Sequence, residues 1–279
     1  MPTSPVAASA PTSTTAPAVA QVHSAPSAAA PLAASVQVSQ APNSAPRTAT
    51  PATVSAPNEE ALRELVGFAA YLRLRLFVEV AQHVWGTQRL SDAQRLLKRS
   101  IHIAEQEEAL VAIGQQRWGM TPGQLMGPFD GSLDSFLLRT QPENWWEGLL
   151  RPLVMHGVSR DMIRLLARGL PPAQARLVTS VFADDDDDYK VGVQLIRDAV
   201  SSDPRLGARL SLWGRRVVGE AFGIAMDILK KWPELGLLLI KATDDSAPGQ
   251  LNLKAAMAAG ITELSAAHKA RMESMGLIP

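Results

Sequence analysis

The sequence predicts an all-α bundle: four long helices, a fifth packing helix, and an N-terminal tail outside the fold. Three observations point there. Long segments repeat their apolar residues with the 3.6-residue helical period. No stretch sustains the two-residue alternation of a strand, and no hairpin dipeptide joins two apolar runs. A long Gly-, Pro- and Asp-containing connection, residues 119–140, separates the second helix from the third.

Residues 1–57 are Ala, Pro, Ser and Thr with Arg47 as the sole formal charge, and they hold half of the chain's 20 prolines. Such a segment lacks the branched and aromatic side chains that offset the entropy of ordering, so it is expected to be a disordered tail. It has no basic start and no unbroken apolar run, which argues against a secretory signal. No window is apolar for ~20 residues, so no membrane span is predicted and the chain is expected in the cytoplasm. The absence of cysteine removes disulfides, thiol catalysis and thiolate metal sites. A net charge of zero over 279 residues gives no electrostatic footprint for nucleic acid. Residues 58–240 are expected to form the bundle, and residues 241–279 a linker and an amphipathic helix.

Asn58 can cap a first helix whose opening turn holds Glu59 and Glu60, where the helix dipole favours acids. It runs to about Trp85 with two apolar stripes, Leu65/Phe68/Leu72/Leu76 and Val66/Ala70/Phe77/Val80/Val84, so it should be largely buried. Ser91-Asp92 opens the second helix, to about Trp118. Its period, followed from Leu97 and Ile101, leads to Glu105 and Glu108 and so places a carboxylate pair on the inner face. The third helix, 144–170, carries Glu147, Leu150, Val154, Val158 and Leu165 on one stripe, and Pro152 with Gly157 predicts a kink.

Pro171-Pro172 begins a fourth helix that reaches Asp203 through the run Asp184–Asp188. Aspartate is a poor helix former and like charges repel, so a continuous helix here is costly. If it holds, the stripe selects Asp184 or Asp185, and Asp188, to face inward. The alternative is a run looped out into water. The fifth helix, 205–232, presents Leu210, Trp213, Val217, Ile224 and Ile228, with Glu220 nearby as a partner for Arg215 or Arg216. The last, 251–275, presents Leu253, Met257, Ile261 and Leu264 to the bundle or to a partner.

Inward carboxylates from several helices are what a di-iron bundle uses: one Glu from each of two helices and Glu-x-x-His from each of the other two. Here the second helix offers Glu105 and Glu108, the third Glu147, and the fourth Asp185 and Asp188; both histidines of the pattern are missing. Glu79 and His83, spaced i and i+4, form a weaker two-ligand edge that is more often a local hydrogen bond. Each acid has a salt-bridging alternative, and the Asp run a solvated one. His102 and His156 fall off the acidic stripes, and Trp145, Trp146 and Trp213 read as core or interface anchors. The segment 205–216 is locally basic, which is weak support for RNA.

Gly67–Tyr71, Gly127-Pro128-Phe129 followed by Asp134–Phe136, Trp146-Glu147-Gly148, and above all Leu212–Ala221 resemble the actinobacterial ferritin-like proteins classed with the tRNA methylthio-isopentenyladenosine hydroxylase. The resemblance covers about residues 60–232. It implies a ferritin-like bundle with a non-haem iron or manganese site that activates oxygen to hydroxylate a modified nucleoside. Glu147 matches the family's helix-three Glu. Arg73 stands two residues after Tyr71, where the resemblance places a Glu, and an arginine cannot ligate a cation. The expectation is therefore a degraded di-metal site in which Arg73 pairs with the acids. The protein would act as a binding or assembly protein, with a protein partner or a second copy meeting the bundle or the C-terminal helix.

Overall fold

The computed structural model describes residues 58–87, 89–183, 185–243 and 252–279, of which 185–188 are described in backbone only. Residues 1–57, 244–251, Gln88 and Asp184 lie outside that description, and so do the tail and the linker read from the sequence. The described residues are helical: α1 Glu59–Val84, α2 Leu90–Trp118, α3 Pro122–Met126, α4 Asp134–Arg139, α5 Trp145–Ala167, α6 Pro172–Thr179, α7 Asp185–Ser202, α8 Pro204–Lys231, α9 Pro233–Thr243 and α10 Leu253–Ser274. Single 3-10 turns follow α3 and α6. No described helix is long and apolar enough to cross a membrane.

α1 is the inner post. Its predicted stripes are buried except at Phe77 and Val84, which are partly buried, because α2, α3, α5 and α9 pack around it. Its first residue also ties three elements together. The Glu59 carboxylate accepts from Arg117 Nε at 2.9 Å, Trp118 Nε1 at 3.3 Å and Gln174 Nε2 at 3.0 Å, and Arg117 holds its carboxyl below the usual range. Gly67 sits where α1 passes α3. A Cβ there would lie 2.4 Å from the Leu125 carbonyl oxygen, a backbone atom that can move only with its helix. Gly67→Ala is expected to cost about 1–3 kcal/mol as overpacking, read as a lower urea midpoint.

α2 is rotated relative to the sequence reading. Its inner face is Leu96, Arg99, Ser100, Ile103, Gln106 and Leu110, whereas Leu97 and Ile101 are half exposed and Glu105 and Glu108 are exposed. The helix has two competing apolar stripes, and the one chosen from sequence faces water. α5 starts at Asn144, whose side chain accepts from the Glu147 amide at 3.1 Å, and stays helical through Pro152. Its stripe from Glu147 to Leu165 is buried as predicted.

The predicted fourth helix is two helices. α6 ends in a 3-10 turn at Ser180–Phe182, and α7 begins at Asp185. The break puts Asp185–Asp188 at the start of α7, where the dipole favours acids, instead of in a helix centre where they repel. Pro233, expected only to stop α8, also starts α9, since proline fits the first turn of a helix. α10 packs on α5, α8 and α9, so the C-terminal helix completes the core, with Leu264, Met272, Met275 and Leu277 buried.

Candidate functional site

Contacts between α1 and α5 fix an antiparallel register: Arg73 meets His156, Glu79 meets Arg151, and His83 lies against Gly148. These contacts make three polar levels along the bundle.

The deepest level is a cationic cluster. Arg73 and Arg99 are among the largest fully buried side chains, and His156 is 1% exposed. Arg73 Nη1 donates to His156 Nδ1 at 3.1 Å, and its guanidinium lies 4.6 Å from the centre of the Phe182 ring. Tyr189, from α7, stacks on His156 with centroids 5.3 Å apart, and Arg99 lies 5.7 Å from the Tyr189 ring. Arg271 from α10 pairs with Asp161 of α5, which also faces Arg160 at 3.6 Å. Burial, and then Arg99, Arg73, Arg160 and Arg271, hold His156 well below the usual histidine range. His268, one turn before Arg271, is pushed down to about 4, by burial first and by Arg271 second.

This geometry fixes a tautomer. Guanidinium only donates, so the Nδ1 of neutral His156 is the acceptor and its proton sits on Nε2. The ring's one available lone pair is therefore engaged by Arg73.

At the next level the Glu79 carboxylate forms a buried ion pair with Arg151, whose Nη1 donates to the Thr140 carbonyl at 2.8 Å. His83 Nδ1 donates to the Glu79 backbone carbonyl at 2.7 Å, and its Nε2 abuts Gly148, where a Cβ would lie 2.0 Å away. Glu79 and His83 thus turn to different partners and form no two-ligand edge. Burial lowers the His83 pKa.

Glu147 occupies the outer level. Its Oε2 accepts from the Glu143 amide at 2.9 Å, its Oε1 lies 3.7 Å from Arg209 Nε, and its carbonyl accepts from Trp213 Nε1 at 3.1 Å. It closes the N-terminus of α5, as an acid at the third helical position does. His156 lies nine residues further along the same helix, about 13 Å away. Arg73 is therefore too far along the bundle to be the partner of Glu147, and the expected pairing is replaced by Arg73 with His156 and Glu147 with Arg209.

Glu105 and Glu108 stand on the outer face of α2, with Glu105 3.5 Å from His102 Nδ1. They do not reach the interior that the sequence reading assigned them. The side chains of Asp185 and Asp188 lie outside the described residues. Among the described residues, no three His, Asp or Glu side chains are grouped to hold a metal ion. Glu220 pairs with Arg139 at 3.2 Å instead of with Arg215 or Arg216, which turn to the Pro279 and Arg139 carbonyls.

Sequence reasoning missed Arg99, Gln106, Arg160, Tyr189, His268 and Arg271. A heptad signal for two of them was present: Leu96, Ile103 and Leu110 recur every seven residues, and Arg99 with Gln106 keeps the same interval on the same face.

A family model described as a ferritin-like domain of actinomycetes matches residues 57–242. No curated protein matches the chain.

Proposed function

Because the chain belongs to the actinomycete ferritin-like domain family, we propose that it keeps the family's bundle as a binding or assembly protein whose di-metal position has been taken over by an arginine bound to a neutral histidine, with the nearby acids held in ion pairs. The observation that carries this reading is the Arg73–His156 contact at the bundle centre. A metal ligand must offer a lone pair, and guanidinium has none to give while the one on His156 is already bound. The other described candidates do not fit the metal either. Glu79 neutralises Arg151, Glu147 caps α5 beside Arg209, and Glu105 and Glu108 face outward.

A second reading is a carboxylate-rich iron or manganese oxygenase acting on a modified tRNA nucleoside or a small molecule, as the resemblance to the tRNA hydroxylase-like proteins implies. The observation in its favour is positional. Asp185 and Asp188 open α7, and the next residue, Tyr189, stacks on His156.

Metal analysis of full-length protein produced with iron or manganese separates the two. Far less than one equivalent per chain is expected. Near-stoichiometric metal that disappears in Glu147→Ala or Asp188→Ala would overturn the arginine-bound reading.

A further inference from the structure

α1 and α8 both pack on α5 but hardly on each other, and the space left between them is a cavity of about 50 Å³. Its walls are residues 68–76 of α1, 155–162 of α5 and 221–228 of α8, with the start of α4 across one end. Most of the lining side chains are buried. Behind the Phe68 end stand Phe129 and Trp232, the three successive ring centroids 5.5 and 4.8 Å apart. The α1 wall runs for about 12 Å, so the space is a narrow slot, the shape of a chain and not of a ring.

Wall chemistry selects the occupant. Every lining side chain is apolar except Ser159, whose hydroxyl donates to the His156 carbonyl at 3.1 Å. No charged side chain lines the slot. An apolar cavity of this kind stays dry and takes apolar guests. One water-sized group needs about 10–15 Å³, so 50 Å³ holds about four carbons of a chain.

The slot is also kept empty by small residues. Ala221 and Ala225 line it at i and i+4 on α8, where a longer apolar side chain would fill it. Unfilled apolar volume costs stability in proportion to its size, and alanine at these positions forgoes that gain. The cavity is partly open to solvent, and Ser159, Ala221 and Ile224 are lining residues that remain partly exposed. A chain can therefore enter by its end and leave a polar head in water.

We propose that the slot between α1 and α8 binds the end of an aliphatic chain, about four carbons deep, with the polar head of the ligand outside. No side chain of the Arg73–His156 centre lines it, so the site stands apart from that centre and its test fails separately from the metal analysis.

The test is a titration of the full-length chain, methyl-labelled at Ile, Leu and Met, with straight-chain alcohols from propanol to octanol, followed by NMR. The expected result is saturable shifts at the methyls of Leu72, Met155 and Ile228. The dissociation constant should fall about fourfold per added carbon until roughly four carbons are inside, and change little beyond that length. Hexane-1,6-diol cannot bury an end without burying a hydroxyl, so it should bind at least about tenfold more weakly than hexanol. Hexanoate should match hexanol, because its head stays in water. Ala225→Leu should weaken hexanol at least about tenfold while the urea midpoint holds or rises, and Ala221→Leu gives the same reading if Ala225→Leu does not fold. Shifts that never saturate, or an affinity that climbs with chain length without a plateau, overturn the proposal. Hexanol binding unchanged in a folded Ala225→Leu or Ala221→Leu overturns it too. So does binding of hexanoate without hexanol, since a charge and not a chain would then be what the protein reads.

Discussion

Glu79→Leu is expected to destabilise the fold by about 3–5 kcal/mol, and Arg151→Met by a similar amount, because either change leaves the opposite charge buried without its partner. The two side chains are nearly inaccessible, each 7% exposed, and they join α1 to α5. The pair is not a net source of stability in the same proportion. Desolvating both charges offsets most of the attraction, so replacing the two together with apolar side chains of similar size should recover much of the loss. Recovery should stop short of the parent, since Arg151 also donates to the Thr140 carbonyl, and that oxygen would then lack its donor at a cost of about 1–3 kcal/mol. Thr140 is fully buried where the long connection turns into α5. Urea unfolding of the parent, both single variants and the double variant forms the cycle. Additive single effects would sink this account, because they would mean that the charges do not depend on each other.

The same pair shows what was legible in the sequence. Glu79 could be placed on a buried helix, and its spacing from His83 drew attention to it, but its partner sits on another helix 72 residues away. Spacing within one helix says nothing about such a pairing. The bundle itself was readable because apolar periodicity, caps and the long connection are local properties of each segment. The acids on α2 were misplaced for an equally local reason. Leu97 and Ile101 make as good a stripe as Leu96, Ile103 and Leu110, and only packing decides which set faces inward. Once α2 turns by that one-residue difference, Arg99 and Gln106 enter the interior and Glu105 and Glu108 leave it. A buried arginine is the last residue that a hydrophobic pattern selects, since its burial is tolerable only beside rings and acceptors contributed by other elements. Phe182 supplies such a ring to Arg73 and Tyr189 one to Arg99, each from a segment far downstream of the arginine it covers. Glu147 was correctly seen as buried, but its role could not be read without Asn144 at the cap and Arg209 opposite.

The central cluster also predicts an early acid transition. His156 and His268 are held neutral in the fold, the first well below the usual histidine range and the second at about 4. In the unfolded chain both return to about 6.5. Above that pH neither state carries the extra protons, and the histidines contribute nothing to the pH dependence. Between about 6.5 and 4 the unfolded chain takes up protons that the folded chain refuses, so stability falls as pH falls. Each histidine contributes a slope of up to about 1.4 kcal/mol per pH unit, or about 2.7 for the pair. The groups facing His156 reinforce the refusal: Arg73, Arg99, Arg160 and Arg271 surround it, while Asp161 is already paired with Arg271 and Arg160. Protonating His156 would add a cation to that group and break the Arg73 contact, because a doubly protonated ring has no acceptor left. Unfolding free energies measured from pH 7.5 to 4.5 should therefore drop steeply below pH 6.5. In His156→Gln the side-chain carbonyl can still accept from Arg73, and the slope should flatten by about 1.4 kcal/mol per unit. An unchanged slope in that variant would show that His156 takes up its proton in the fold, and the fixed tautomer on which the arginine-bound centre rests would fall with it.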